Sequence, residues 1–411
     1  MKLVAVLILA AVFISGCTST SPAVQSLYTE IQSNVQPSYQ NQSASDQQSS
    51  TGYNDFGPCA GSGTVMFDSS PLKPEDINYI DPQGSVHASG GHVTPIDHQY
   101  WVPLTSSEDS APYNVYAPAA GRIVDIQHMT QFIGEPGPNN PKVDDYRFII
   151  SHKCDLVSIF IHVKELSPRI MSITGQISGS RQVSIPVEGG EVVGKVGRSF
   201  DFSVHDYKVT LSGFIVPLHY SREPWKIHTV DPFDYFKEPL RSQLVAKDLR
   251  SAQPLGGKID YDIDGRLIGN WFKEGTNGYQ GVDQQRYWES HLSFLYDSVD
   301  PSEIVISTGD FGGTADSFGI KGNSPDPASV GAASGLIKYE LVHYDFYKDG
   351  QQWNTYQKGF AKNLKVVNQN DIQGTMIVQM ISDRKTKVEM FVGKTASQVS
   401  GFDSNAIVYE R

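Results

Sequence analysis

Cysteine, charge and long apolar runs are all scarce in this chain. Of 411 residues only three are cysteine, charged side chains make up 19%, and 33 Lys plus Arg face 45 Asp plus Glu. Each shortage excludes something. So few charges weaken any case for long exposed helices, and a net charge of -12 argues against the broad basic surface that nucleic acid needs, so no nucleic-acid partner is expected. The one sustained apolar run, Leu3 to Phe13, is too short to cross a hydrocarbon core, and no other stretch is apolar enough. Scarce thiolates leave imidazole and carboxylate as the donors for any zinc hypothesis. Length excludes a single small module: at about 100–200 residues per domain, the chain divides into two folded domains and tails.

What is present is glycine (37), proline (23) and aromatic side chains (11%), the composition of a turn-rich, mostly β protein. Lys2 followed by the short apolar run reads as an export signal, and Ile14-Ser15-Gly16-Cys17 resembles a lipobox, whose cysteine receives the lipid. Residues 1–17 are therefore expected to be a lipoprotein signal, with Cys17 lipidated and the chain exported and held by its lipid on the extracytoplasmic side of the membrane. Residues 18–54, rich in Ser, Gln, Thr and Asn, show no periodicity and read as a disordered tether. In an export compartment Cys59 and Cys154 can pair. The alternatives are two free buried thiols, or Cys154, two residues after His152, as a metal ligand.

Residues 55–236 show short apolar runs divided by Gly, Pro and Asn, at 114–126, 146–151, 156–163, 183–196 and 202–211, which are the marks of strands and turns. Residues 237–257 are polar and read as the connection between domains, with a helical turn or two at 241–249. Residues 258–411 again read as mostly β, with strands at 336–347, 364–367, 374–381 and 387–392 and a long loop at 311–332. Asp260-Tyr261-Asp262-Ile263-Asp264-Gly265 matches half of a calcium loop, but its alternation and terminal Asp-Gly favour a hairpin. The aromatic residues Trp271, Phe272, Tyr279, Tyr287, Trp288, Phe294 and Tyr296 read as core.

Most of the eleven histidines fall in the first domain, among them His87, His92, His98, His152, His162 and His205. In a strand, Ser203, His205 and Tyr207 share one face, and His162 shares its face with Phe160. Two such neighbouring strands would aim His162 and His205 into one groove.

Several segments, in order over residues 84–236, resemble the lysostaphin-type, LytM-like zinc metallopeptidases. They are Tyr113-Asn114-Val115-Tyr116-Ala117-Pro118-Ala119-Ala120-Gly121-Arg122-Ile123-Val124, then Ile150-Ser151-His152 with Val157 to Val163, then Gly189 to Gly197, and finally Val230-Asp231-Pro232-Phe233-Asp234-Tyr235-Phe236. The resemblance implies an antiparallel β-sandwich or half-barrel followed by a second β-rich domain. It also implies zinc as cofactor, held by His92 or His98 with Asp97 and His205, and His162 as the group that handles the proton. The pattern is broken twice: Asp97 comes five positions after His92 where the family has its Asp four positions after the His, and Ser203 stands where the family has the first His of a His-x-His strand. The reading is thus a membrane-anchored envelope lipoprotein with a weakened or non-catalytic LytM-like domain that binds cell-wall polymer or an envelope protein. The alternative is an active zinc endopeptidase that cleaves wall peptide cross-links. In the second domain, Gly269-Asn270-Trp271 is similar to the Gly-x-Trp of lipocalin-like barrels; otherwise that domain is β-rich and of unknown role.

Overall fold

The computed structural model describes Cys59 and residues 61–411, except 108–109, 133–141, 284 and 354–358. The export signal with Cys17 and the tether lie outside the described residues. The fold is mostly β. The first half contains β1 (Ile77–Asp81), β2 (Gln99–Pro103), β3 (Tyr113–Tyr116), β4 (Gly121–Phe132), β5 (Lys142–Lys153), β6 (Leu156–Val163), β7 (Glu165–Leu166), β8 (Gly179–Val187), β9 (Val192–Val196), β10 (Phe200–Asp206) and β11 (Thr229–Val230). One antiparallel sheet runs β1-β2-β10-β6-β5-β4-β8, with β11 beside β10, and a small sheet runs β3-β9-β7.

Strict alternation decides the faces of the central strands. On β10, Phe200, Phe202 and Val204 enter the core, and Asp201, Ser203 and His205 therefore take the other face. The core face is rich in rings: Phe160 lies 5.1 Å from Phe202, and Phe202 lies 5.5 Å from Trp101. Each such fully buried ring contributes roughly 1.5–3 kcal/mol of transfer free energy, enough that a register slip on β10 is strongly disfavoured.

The second half contains β12 (Gly269–Lys273), β13 (His291–Tyr296), β14 (Ile304–Phe311), β15 (Thr314–Ile320), β16 (Ile337–Lys348), β17 (Gln351–Gln352), β18 (Lys365–Ser382), β19 (Lys385–Val392) and β20 (Ile407–Glu410). These form one antiparallel sheet, and a short pairing of β15 with β16 through Gly319–Val342 and Ile320–Leu341 closes it on itself. With β17 a flap on β16, eight strands form the ring, each paired to its sequence neighbours. Its inward residues include Trp271, Phe294, Phe318, Tyr339, Met376 and Tyr409, so side chains fill the barrel.

Gly269-Asn270-Trp271 opens this barrel, and Trp271 is held at both its indole N–H and its ring face. The indole N–H donates to the Leu267 carbonyl at 2.7 Å. Arg411 lies across the ring at 3.8 Å and donates to the carbonyls of Arg266, Leu267 and Ile268.

Three expectations need correction. The long loop expected at 311–332 contains β15, which the barrel needs as a pairing partner on both sides; its Gly, Asp and Ser content hid a strand that tertiary pairing forms. The hairpin expected at 260–265 is only a turn, with Arg266 N–H donating to Ile263 and no paired strands around it. The calcium alternative also fails, because the three carboxylates diverge: Asp260 takes Lys258, Asp262 accepts from Asn270 N–H, and Asp264 pairs with Arg384.

The polar segment 237–257 contains the helix Leu240–Val245 and then runs along β1. There Ile80 N–H donates to Lys247 and Leu249 N–H donates to Ile80. Cys59 and Cys154 are joined by a disulfide, with Cα atoms 5.0 Å apart.

Candidate functional site

The outward face of the β6–β10 pair floors a cavity of about 220 Å³, lined among others by His92, Asp97, His98, His162, Asp201 and Ser203. β6 and β10 are antiparallel neighbours, with Asp201 opposite Ile161 and His205 opposite Val157.

His162 reaches the cavity by a route that alternation does not give. Phe160 is in the core, yet Ile161 and His162 both line the cavity. The register of β5 against β6 shifts between Tyr146 and Phe148, and His162 takes a φ of +68°. A bulge with one left-handed residue re-aims the side chain, and His is among the few non-glycine residues that tolerate it. The expectation that His162 shares the face of Phe160 is corrected accordingly.

His92 is delivered by a tight loop, whose backbone pairs with His87 in both directions. Gly91 makes that loop possible: its φ is +88°, and a Cβ there would lie 3.0 Å from the Trp288 ring.

The polar groups are linked in two clusters. In the first, His162 Nδ1–H donates to Asp145 at 2.7 Å, while its Nε2 lies 3.5 Å from Asp201 Oδ2. His98 Nε2 lies 3.2 Å from the same Asp201 oxygen, a contact too poorly aimed to count as a hydrogen bond. Burial lowers the His162 pKa, but Asp201 and Asp145 outweigh it and leave it raised. In the second cluster, Asp97 accepts from His98 Nδ1–H at 3.1 Å and from Trp225 Nε1–H at 3.2 Å, with Lys226 Nζ 4.0 Å away. Burial works to raise the Asp97 carboxyl, but Lys226 and His98 hold it well below the usual carboxylate range.

Both nitrogens of His205 are engaged. Nδ1–H donates to the Trp225 carbonyl at 3.1 Å, and Nε2 accepts from Ser203 Oγ at 2.8 Å. Burial pushes its pKa down to about 4, and that of His92 down to about 3.

These contacts decide how well zinc suits the residues named for it. The ion needs lone pairs aimed at one point at about 2.0–2.2 Å. His205 Nε2 is free for a metal only if the Ser203 hydrogen bond is given up, each Asp97 oxygen already accepts a hydrogen bond, and the buried Lys226 ammonium stands against the same carboxylate. Among the described residues no group of three His, Cys, Asp or Glu side chains is arranged to hold a metal ion. The donor set does not fit zinc.

Sequence reasoning missed several lining groups. Trp225 and Lys226 come from the turn Pro224–His228, and Tyr279 and Tyr287 come from the barrel half, within the same compact unit. Lys226 is 2% exposed and its Nζ lies 5.2 Å from the Tyr279 ring centre. Asp201 was within reach of alternation, since it shares the face of Ser203 and His205.

His152 does not enter the cavity. It is buried, donates from Nδ1 to the Ala120 carbonyl and accepts at Nε2 from Ser158, and burial pushes its pKa down to about 4. An unfolded imidazole titrates near 6.5. Between these values the unfolded chain takes up a proton that the folded chain refuses, so this group's contribution to stability is full above about pH 6.5 and is lost as pH falls toward 4. The cost of His152→Gln is therefore expected to be greatest at pH 7 and to shrink by pH 4.5; urea unfolding at the two pH values measures it, and a constant or growing cost would refute the assignment.

No protein-family model matches the chain, and no curated protein matches it. Among solved structures, a chain described under "Structure of the SpoIIQ-SpoIIIAH pore forming complex" is similar at 12% identity, over 44% of this chain and 96% of that chain, with a TM-score of 0.24.

Proposed function

We propose that this chain is an exported lipoprotein, anchored to the membrane through Cys17, whose LytM-like half binds an envelope polymer or protein in its groove and does not cleave peptide bonds. One observation carries the reading: the Lys226 ammonium lies buried beside Asp97, where a fixed cation already balances the carboxylate. A zinc ion there would have to displace Lys226, and the two like charges would repel across a few ångströms of low-dielectric interior. Ser203 in place of a second imidazole removes, in the same site, a group that would handle a proton. Trp225, Tyr279 and Tyr287 instead wall the cavity with amphipathic rings suited to holding a ligand.

The test uses the full chain extracted from membranes with detergent after growth with added zinc. The expected results are recovery in the membrane fraction, far less than one zinc per chain, no release of peptides from purified wall polymer, and at least a tenfold gain in zinc affinity in Lys226→Met. One zinc per chain in the native protein together with hydrolysis of wall cross-links would establish the peptidase instead.

A further inference from the structure

A second cavity, of about 350 Å³, lies outside the groove, between the loop after β1 and the outer face of β15 and β16. One wall is apolar: Trp353, Phe346, Leu249 and Leu364 belong to a single buried cluster, with Trp353 edge-on to Tyr79 at 5.9 Å. The charged lining is mostly acidic; of the two histidines in it, His343 is held by Asp371 at 2.6 Å and His87 faces Asp81. Asp81, Asp297 and Asp316 face the cavity, and no lysine or arginine lines it. Among the described residues none of the three has a lysine or arginine ion-pair partner, and Asp81 has only the distant His87 at 3.9 Å. Arg250, packed behind, has its guanidinium committed to the carbonyls of Ala252, Pro254, Gln253 and Ser298.

Asp297 is the group that most needs an explanation. It is 5% exposed, and its Oδ1 accepts the N–H groups of Val299 and Asp300 at 2.9 and 2.8 Å. Its Oδ2 has no hydrogen-bond partner among the described residues. Burial, with Asp81 and Asp300 nearby, pushes the carboxyl up to about 7. A half-satisfied buried carboxylate is costly unless something positive completes it.

We infer that this cavity is a binding site for a small organic cation, an ammonium group carried on a short hydrocarbon body. The ammonium completes Asp297 and is shared with Asp81 and Asp316, while the hydrocarbon packs against Trp353 and Phe346, whose ring faces attract positive charge. An anion is repelled by three carboxylates. A neutral apolar ligand leaves Asp297 unpaired. A hard metal ion wants six or more oxygens, which an aromatic wall does not supply. The volume is within the usual range for small-molecule sites, roughly 300–1,000 Å³. The inference is independent of the groove.

Calorimetric titration of the full chain with n-butylammonium, n-butanol and calcium chloride tests it. The expected result is one site for butylammonium and at least tenfold weaker binding of butanol. Asp297→Asn, which keeps the Oδ1 acceptor, should weaken butylammonium at least tenfold, and Asp316→Asn, at a partly exposed position, by several-fold. Absence of butylammonium binding at millimolar concentration would overturn the proposal, as would equal binding of butanol, preferential binding of calcium, or unchanged affinity in both variants.

Discussion

Replacing Cys154 by serine is expected to lower the unfolding free energy by about 4–5 kcal/mol, since the bridge closes a loop of close to 100 residues and the chain-entropy model assigns about 4.7 kcal/mol to a loop of that size. Cys59 and Cys154 are 95 residues apart in sequence. The bridge ties the start of the described chain to the turn between β5 and β6. There Cys154 N–H also donates to the Gly61 carbonyl, and Gly63 N–H donates to Asp155. Those two hydrogen bonds hold the same junction only while the segment stays close, so they should weaken together with the disulfide. Urea unfolding with and without reductant measures the effect: the wild-type midpoint should fall on reduction to that of Cys154→Ser. A difference below about 1 kcal/mol would mean that the unfolded chain is already compact enough to make the bridge redundant.

Arg411→Met should cost about 3–5 kcal/mol, the usual penalty for removing one partner of a buried ion pair. Arg411 and Asp262 lie 3.8 Å apart, with side chains 1% and 3% exposed. Burial already pushes Asp262 up to about 6 against the pull of Arg411, so loss of the guanidinium leaves a buried carboxylate with its Asn270 N–H bond but no cation. Three backbone carbonyls and the Trp271 face lose their partner at the same time. Without the pull of Arg411 the Asp262 carboxyl is raised further, so the penalty should be relieved as pH falls toward about 6 and Asp262 becomes neutral in the variant, and Asp262→Asn in the Arg411→Met background should recover part of it. Thermal unfolding of the two single variants and the double variant at pH 7.5 and 5.5 separates these contributions. If the double variant is simply additive and the cost does not change with pH, the ion pair does not hold the barrel end closed.

Much of the first sheet could be read from the chain because its strands alternate strictly. Phe200, Phe202 and Val204 against Asp201, Ser203 and His205 fixes both faces of β10 without any knowledge of its neighbours. The same rule failed one strand away. Nothing local marks the bulge at His162, which arises where β5 and β6 change register, so the residue expected beside Phe160 turned to the opposite face. β15 was hidden for a related reason: Thr314 to Ile320 has two of its seven side chains large and apolar, and it is a strand because β14 and β16 pair with it on either side.

Composition and alternation by themselves determined the mostly β class, the outward face of β10, and the set of histidines and Asp97 from which a site would be built. Those are local properties, written in residue type and in a period of two. The tertiary structure alone decided what that set became. Lysine is usually solvated, and no sequence pattern marks Lys226 as the one that enters beside Asp97. Tyr279 and Tyr287 reach the cavity from 117 and 125 residues beyond His162 in the chain. His205 was expected as a donor, but Trp225 and Ser203 take both of its nitrogens, because a buried imidazole must satisfy its hydrogen bonds with whatever packing brings within reach.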